Sequence, residues 1–95
     1  MAQVRFLGIV RDWMQRSSLE AEADTLSDVL QAMREKGGWR FEEKAFAEGG
    51  RTIPELEFLV NGRNARFLRG LDATLKPEDG VVVFIHRSWA EVPFM

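Results

Sequence analysis

The sequence has 95 residues, no cysteine, and 13 basic against 15 acidic side chains, which gives a formal net charge of -2. This length supports one domain with a single modest core. The missing cysteine excludes disulfides, thiolate metal sites and cysteine nucleophiles, and the slightly acidic balance is not typical of a module that binds nucleic acid.

The first two predicted elements are strands close enough together to form a hairpin. Residues 3–10 alternate in polarity, and Val4 and Phe6 share one face of that strand. Residues 19–23 alternate strictly and predict a second strand with one solvated face. The connection between the two strands could include a short helical bend at residues 13–14.

Targeting and membrane segments are not predicted near the N-terminus. The apolar run at residues 7–10 is only four residues long, and Arg11 and Asp12 follow it directly. A signal peptide or a membrane span needs a longer apolar run than this. We therefore expect a cytoplasmic protein that has no membrane contact.

The clearest predicted helix covers residues 25–36. Its apolar stripe, at i, i+3, i+4 and i+7, consists of Leu26, Val29, Leu30 and Met33. Thr25 can cap the N-terminus of the helix, and Asp28 complements its exposed N–H groups. The glycine pair at residues 37–38 predicts its end. A short second helix is predicted within residues 39–50.

The second half of the sequence predicts three further strands, at residues 56–60, 65–68 and 81–85. Asn61 and Gly62 predict a tight turn after the first of them, because both residues tolerate positive φ. The last strand is almost continuously apolar, which is typical of the centre of a sheet. By alternation, Phe6, Phe58 and Phe84 are expected in the core.

The order of elements predicts an α+β protein with a β-grasp fold. A hairpin, a helix across it and a central last strand give a mixed sheet of four to five strands with one main helix packed across it. Joining the first and last strands in parallel through the helix obeys the crossover rule. We expect the domain to cover residues 1–85 and an atypical apolar tail to cover residues 86–95.

Several segments resemble one protein family: TLSDVL at 25–30, VNGRN at 60–64, FLRGLDATL at 67–75 and PEDGVVVFI at 77–85. Together they resemble the MoaD/ThiS group of ubiquitin-like proteins, which includes the small subunit of molybdopterin synthase and the thiamine sulfur carrier. The resemblance covers roughly residues 3–85. It implies a ubiquitin-like fold and a larger partner protein.

The resemblance also implies a reactive C-terminus, which this sequence does not match. In the carriers of that group, a terminal diglycine enters an ATP-dependent activating enzyme, and its carboxylate is adenylated and converted to a thiocarboxylate. Residues 86–95 read HRSWAEVPFM and contain no glycine. The other glycine pairs, at residues 37–38 and 49–50, lie inside the expected domain. The carrier role is therefore not transferred to this sequence.

The tail has an apolar character of its own, carried by Trp89, Val92, Phe94 and Met95. An apolar segment left in water would favour aggregation. These side chains could fold back over the outer face of the sheet. They could instead anchor a partner or a second copy of the chain, because Trp and Phe dominate binding energies.

Other candidate sites are weaker. Arg63, Arg66 and Arg69 could form a basic rim near the Asn-Gly turn that holds a phosphate or an acidic partner, although a solvated turn has the same spacing. His86 is the one histidine and has no predicted partner for catalysis. The sequence predicts no catalytic residue, no metal site and no cofactor.

These observations favour a non-enzymatic, cytoplasmic binding module. By resemblance, its partner is a larger protein, either like an activating enzyme or from the molybdopterin, tungstopterin or sulfur-transfer systems. One alternative is a sulfur carrier with an unconventional terminus, the carboxylate of Met95. Another is a self-associating structural protein whose tail completes a dimer.

Overall fold

A five-stranded mixed sheet and two helices on one of its faces organise the chain; the computed structural model describes residues 1–86. The strands are β1 (Ala2–Phe6), β2 (Ser18–Ala21), β3 (Leu56–Val60), β4 (Arg63–Asn64) and β5 (Gly80–Ile85). The helices are α1 (Ile9–Met14) and α2 (Leu26–Ala45), and short 3₁₀ turns occupy Glu48–Gly50, Ala65–Phe67 and Gly70–Asp72.

The sheet has the strand order β2-β1-β5-β3-β4. β1 and β5 are parallel neighbours, with Val4 opposite Val81, and the other three pairs are antiparallel. The predicted central last strand, its parallel pairing with the first strand and the initial hairpin are all confirmed. This is the β-grasp arrangement that the order of elements predicts.

The core lies between the inner face of the sheet and the two helices. Its fully buried members come from every layer, as the alternation in β1 and β5 and the stripe on α2 predict. They include Val4, Phe6, Val10, Met14, Leu26, Val29, Met33, Phe41, Val81 and Val83. One core therefore fixes the position of the sheet and both helices.

The first strand is shorter than predicted, because the chain turns at Gly8. Gly8 has a φ of 57°, a left-handed value that only glycine adopts readily, and α1 begins at the next residue. Val10 and Met14, four residues apart, then bury the same side of α1 in the core. The prediction of a strand to residue 10 is wrong, and the helical bend at residues 13–14 is the end of α1.

The main helix begins as predicted. The carboxylate of Asp28 accepts hydrogen bonds from the backbone N–H groups of Asp24 at 2.9 Å and Thr25 at 3.2 Å, which completes a capping box. The helical segment continues past the predicted end to Ala45, with a kink at Gly38, whose φ is 63°. The predicted second helix is therefore the part of α2 beyond this kink.

The turn between β3 and β4 is confirmed, but β4 lies earlier than predicted. Asn61 and Gly62 have φ values of 50° and 83°. The strand predicted at residues 65–68 is wrong, since the chain there forms a 3₁₀ turn. The side chain of Asn64 caps that turn by accepting a hydrogen bond from the backbone N–H of Arg66 at 2.9 Å.

Candidate functional site

The face of the sheet opposite the helices, called the outer face below, has an apolar centre. The strand registers place Arg5 and Leu59 on either side of Val82, and Glu57 beside Phe84. Leu59, Val82 and Phe84 are all half-buried. Within residues 1–86, both helices pack on the inner face, so these three side chains form an apolar strip that no helix covers.

The prediction that Phe84 lies in the core is wrong, because its side chain is only half-buried. In the β5 register, Val83 lies opposite Phe6 of β1 and Phe58 of β3, and Val83 is the residue that is fully buried. Because neighbouring residues in a strand point to opposite faces, Phe84 belongs to the outer face. Phe6 and Phe58 lie in the core as predicted.

A groove of about 480 Å³, called the strand-end groove below, lies at the edge where β1 and β5 end. Leu7, Gly8, Ile9, Phe84 and Ile85 line it. Leu7 is 47% exposed and Ile9 is 42% exposed, which are high values for aliphatic side chains. The groove therefore extends the apolar strip of the outer face to the end of the sheet.

A polar cluster around a buried carboxylate lies beside Phe84, on the side of the outer face formed by β3 and β4. Glu57 is 6% exposed, accepts a hydrogen bond from the amide of Asn64 at 2.8 Å and forms an ion pair with Arg66. Both oxygens of the carboxylate therefore have partners, as a buried charge requires. Arg63 and Arg69 are exposed and form no ion pair within residues 1–86.

The predicted basic rim is therefore divided, because one of its three arginines neutralises a buried carboxylate. A phosphate-binding or acid-binding role for Arg63, Arg66 and Arg69 stays a prediction. The turn beside them is held by Asn61, whose amide nitrogen donates to Asp79 at 2.9 Å and whose amide oxygen accepts from the backbone N–H of Gly80 at 2.9 Å.

The pKa of the Asp79 carboxylate is lowered in the folded chain. The backbone N–H of Lys76 donates to its carboxylate at 2.8 Å, and the amide of Asn61 donates to the other oxygen. These bonds, in that order of importance, lower the pKa of Asp79 because they stabilise the charged form. Asp79 thereby ties the turn before β5 to the turn after β3.

The family model of the ThiS family matches residues 4–86, which is most of the sequence. The chain belongs to the ThiS family. This confirms the resemblance to the MoaD/ThiS group and the ubiquitin-like β-grasp fold. No curated protein matches the sequence significantly.

Solved structures agree on the fold of this ThiS-family chain. Small archaeal modifier protein 1 from Methanosarcina acetivorans is similar with a TM-score of 0.82 and 22% identity, covering 92% of this chain and 93% of its own. CysO from Mycobacterium tuberculosis has a TM-score of 0.76 and 21% identity, covering 92% of this chain and 100% of its own. A chain of the Amycolatopsis orientalis BexX/CysO complex has a TM-score of 0.77 and 19% identity, covering 93% of this chain and 98% of its own.

Among residues 1–86, no three His, Asp or Glu side chains converge as metal ligands would. Over the same range, no helix combines the length and hydropathy needed to cross a membrane.

His86 is exposed directly after β5, and its backbone N–H donates to the carbonyl of Glu55 at 2.7 Å. Trp89, Val92, Phe94 and Met95 lie outside the described residues.

Two features of the site were not predicted from the ThiS-like sequence pattern. The Glu57 cluster depends on a 3₁₀ turn that brings Arg66 back over β3, and spacing alone does not encode that turn. The strand-end groove could have been found, because Leu7 alternates with the core residue Phe6 and therefore points outward. Gly8 is the residue in the sequence that marks the end of this strand.

Proposed function

We propose that this chain is a non-enzymatic binding module that docks a larger protein on its outer face. The observation that carries this proposal is the half-buried strip of Leu59, Val82 and Phe84 on a sheet face that neither helix covers. Apolar side chains with a polar border are typical of the centre of a protein interface. Arg5 and the Glu57–Arg66 pair supply that border on two sides.

The size of the outer face implies that the interface extends beyond it. Five strands about 4.8 Å apart and about five residues long at 3.3 Å each give a patch of roughly 400 Å². A standard interface buries about 800 Å² on each partner. We propose that Trp89, Val92, Phe94 and Met95 supply further contact area as anchors for the partner, because large apolar side chains dominate such interfaces.

Family membership supports a partner from a sulfur-transfer system or from molybdopterin or tungstopterin biosynthesis. CysO, a protein of similar fold, has been crystallised as a BexX/CysO complex, which supports the idea of a larger protein partner. In this proposal the chain supplies recognition, and any chemistry belongs to the partner.

A sulfur carrier is the second candidate, and membership of the ThiS family favours it. A carrier of the usual kind threads a terminal diglycine into its activating enzyme, where side chains would clash. Residues 86–95 contain no glycine. The half-buried apolar strip on the outer face favours the binding module. The two candidates differ in whether the terminal carboxylate is modified.

Native mass spectrometry of the chain purified with its bound protein from source cells tests the binding module. We expect a stoichiometric complex with the unsubstituted chain, and its loss with Leu59→Glu, which places a charge in the apolar strip. Gln31→Glu, which adds the same charge on an exposed position of α2, is the matched control and should keep the complex. A complex that survives Leu59→Glu would show that the outer face is not the docking surface.

Incubation with ATP, a ThiS-type or MoaD-type activating enzyme and sulfide as the sulfur donor separates the carrier from the binding module, because sulfide displaces AMP from the adenylated carboxylate of a carrier. A binding module keeps the mass of its unmodified chain. A carrier gains the mass of one sulfur in place of one carboxylate oxygen, and that result would overturn the non-carrier proposal.

A further inference from the structure

A hollow of about 340 Å³, called the helix-side hollow below, is formed by α1, the residue that caps it and the second half of α2. The side chains that line it are those of Asp12, Trp13, Gln15, Trp39, Arg40 and Lys44. Because both helices pack on the inner face of the sheet, this hollow is separate from the apolar strip of the outer face. It shares no residue with the strand-end groove either.

The contact between Gly37 and Met14 brings two tryptophans to the helix-side hollow. Because Gly37 has no side chain, the Sδ atom of Met14 can lie only 2.7 Å from where a Cβ would be. Trp13 directly precedes Met14, and Trp39 directly follows the kink at Gly38. The two tryptophans therefore belong to segments that the core holds together.

Trp39 is exposed to a degree that is unusual for its residue type. It is 69% exposed, whereas tryptophan is highly buried on average. The guanidinium carbon of Arg40 lies 5.4 Å from the centre of its ring, within the range of a cation–π contact. Trp13 is half-buried and packs against the core. The hollow therefore has one aromatic wall fixed by the core and one exposed wall, and tryptophans often supply the binding energy of an interface.

The surface around the helix-side hollow is basic, although the whole chain is slightly acidic. A second hollow, of about 320 Å³, shares Asp12 and Gln15 with the first, and Arg11 and Arg16 also line it. The two hollows together have four cations and one carboxylate, in a chain with a formal net charge of -2. All four cations are exposed, and none forms an ion pair within residues 1–86. This concentration of positive charge favours an anionic occupant.

The carboxylate of Asp12 favours a peptide over a nucleic acid as that occupant. Asp12 lines both hollows, so a bound chain that runs from one to the other passes it. The backbone N–H groups of a peptide can donate to this carboxylate. The phosphodiester groups of a nucleic acid are acceptors only and carry a negative charge at every step, so they would be repelled there.

We propose that the helix-side hollow binds a short acidic segment of a partner protein, with one aromatic side chain of that segment between Trp13 and Trp39. The carboxylates on either side of the aromatic residue pair with the cations of the two hollows. The six residues of α1 make a helix about 9 Å long, and an extended peptide of five residues spans about 17 Å. Five residues are therefore enough to reach both hollows.

This inference goes beyond the docking surface proposed above and does not rest on it. The apolar strip and the helix-side hollow lie on opposite sides of the sheet, so one chain can bind through both at once. Leu59→Glu, which should abolish docking on the outer face, should leave the affinity for an acidic peptide unchanged.

NMR titration of the isotope-labelled full-length chain tests the site, with acetyl-Glu-Asp-Phe-Asp-Glu-amide as the probe. We expect saturable shifts of the indole N–H signals of Trp13 and Trp39, which the variants Trp13→Phe and Trp39→Phe assign. Two matched peptides separate charge from aromatic contact. Acetyl-Gln-Asn-Phe-Asn-Gln-amide lacks the carboxylates, acetyl-Glu-Asp-Ala-Asp-Glu-amide lacks the ring, and each should bind at least about tenfold more weakly.

Substitutions in the chain supply a second test with matched controls. Lys44→Glu should weaken binding of the acidic peptide about tenfold, whereas Lys76→Glu, the same reversal in the turn before β5, should not. Trp39→Ser should also weaken it about tenfold, whereas Phe67→Ser, at a ring that is 82% exposed in the turn after β4, should not. All four side chains are exposed, so these variants should fold, and the amide signals of β5 check this.

Four results would overturn the proposal. The first three are no saturable shift of either indole signal, equal affinity for the uncharged peptide, and equal weakening by Lys44→Glu and Lys76→Glu. The fourth is a shift of the indole signals with single-stranded oligothymidylate but not with the peptide, which would identify a nucleic acid site instead. Each result is obtained without the partner of the outer face, so it is independent of the docking experiment.

Discussion

Glu57 and Arg66 form an ion pair in which only the carboxylate is buried. The Glu57 side chain is 7% exposed and the Arg66 side chain is 62% exposed. A carboxylate removed from water needs its partners, whereas an exposed guanidinium keeps its hydration without the pair. Glu57 should therefore depend on the ion pair more strongly than Arg66 does, so the loss of Arg66 should destabilise the fold through the unpaired Glu57 carboxylate.

Arg66→Ala should destabilise the fold by about 1–3 kcal/mol, because it leaves a buried carboxylate with Asn64 as its remaining side-chain donor. The removal of the charge, in Glu57→Gln/Arg66→Ala, should recover part of that loss. Urea unfolding of both variants measures the difference. Arg63→Ala, at an exposed arginine without an ion pair in residues 1–86, is the control and should change stability by less than about 0.5 kcal/mol. Equal effects of the two alanine substitutions would contradict this account.

Gly37 of α2 lies against the side chain of Met14 on α1. A Cβ at this position would lie 2.7 Å from Sδ of Met14 and 2.7 Å from Cβ of Phe41. Gly37→Ala should therefore overpack the core and lower the free energy of unfolding by about 1–3 kcal/mol. Thermal unfolding measures this. Gly80→Ala is the matched control, since its nearest contact would be an ordinary 3.9 Å, and a comparable loss there would contradict the packing argument.

The carboxylate of Asp79 should make the fold sensitive to acid. Its pKa is lowered in the folded chain, chiefly by the Lys76 backbone N–H and then by Asn61, so its ionised form favours folding. That stabilisation is fully present above the ordinary pKa of an aspartate, about 3.9, and is lost as the pH falls through the lowered folded value. The stability difference between the unsubstituted chain and Asp79→Asn should shrink over that range.

Urea unfolding at a series of pH values checks the prediction for Asp79. Glu78→Gln is the neighbouring control, because Glu78 is exposed and its side chain makes no hydrogen bond within the described residues. A pH-dependent gap of the same size for Glu78→Gln would show that net charge, rather than the Asp79 bonds, is responsible.

The fold could be predicted from the sequence because its signals are local and consistent. Thr25 with Asp28 marked the start of α2, Asn61 with Gly62 marked a turn, and the apolar run of β5 indicated a central strand. Each signal depends on residues within four positions of one another. The physical chemistry of caps and tight turns is sufficient to interpret them.

The predictions failed where a distant contact decides the structure. Residues 65–68 have an apolar pattern that suits a strand, yet the Asn64 cap and the Arg66–Glu57 pair hold them in a 3₁₀ turn. Alternation predicts Phe84 in the core, but β5 is apolar on both faces, so alternation alone does not fix which face is buried. The register against β3 assigns the two faces, and register depends on the whole sheet.

Alanine substitutions at Phe84 and at Phe58 should distinguish an effect on partner binding from an effect on the stability of the fold. Phe58 is buried in the core, so Phe58→Ala should lower the free energy of unfolding by about 3–5 kcal/mol. Phe84 is half-buried on the outer face, so Phe84→Ala should lower it by about 1 kcal/mol or less, since fully burying such a side chain contributes only about 1.5–3 kcal/mol. Urea unfolding of both variants gives this first comparison.

The same two variants test the docking surface. Because the proposed partner contacts the outer face, Phe84→Ala should reduce recovery of the stoichiometric complex at least tenfold, which corresponds to about 1.4 kcal/mol. Phe58→Ala, measured at a temperature where the variant is still folded, should retain the complex because the side chain of Phe58 is buried in the core and not on the outer face. If Phe84→Ala retains the complex while Phe58→Ala loses it, the binding surface lies elsewhere and the apolar strip has a role only in the stability of the fold.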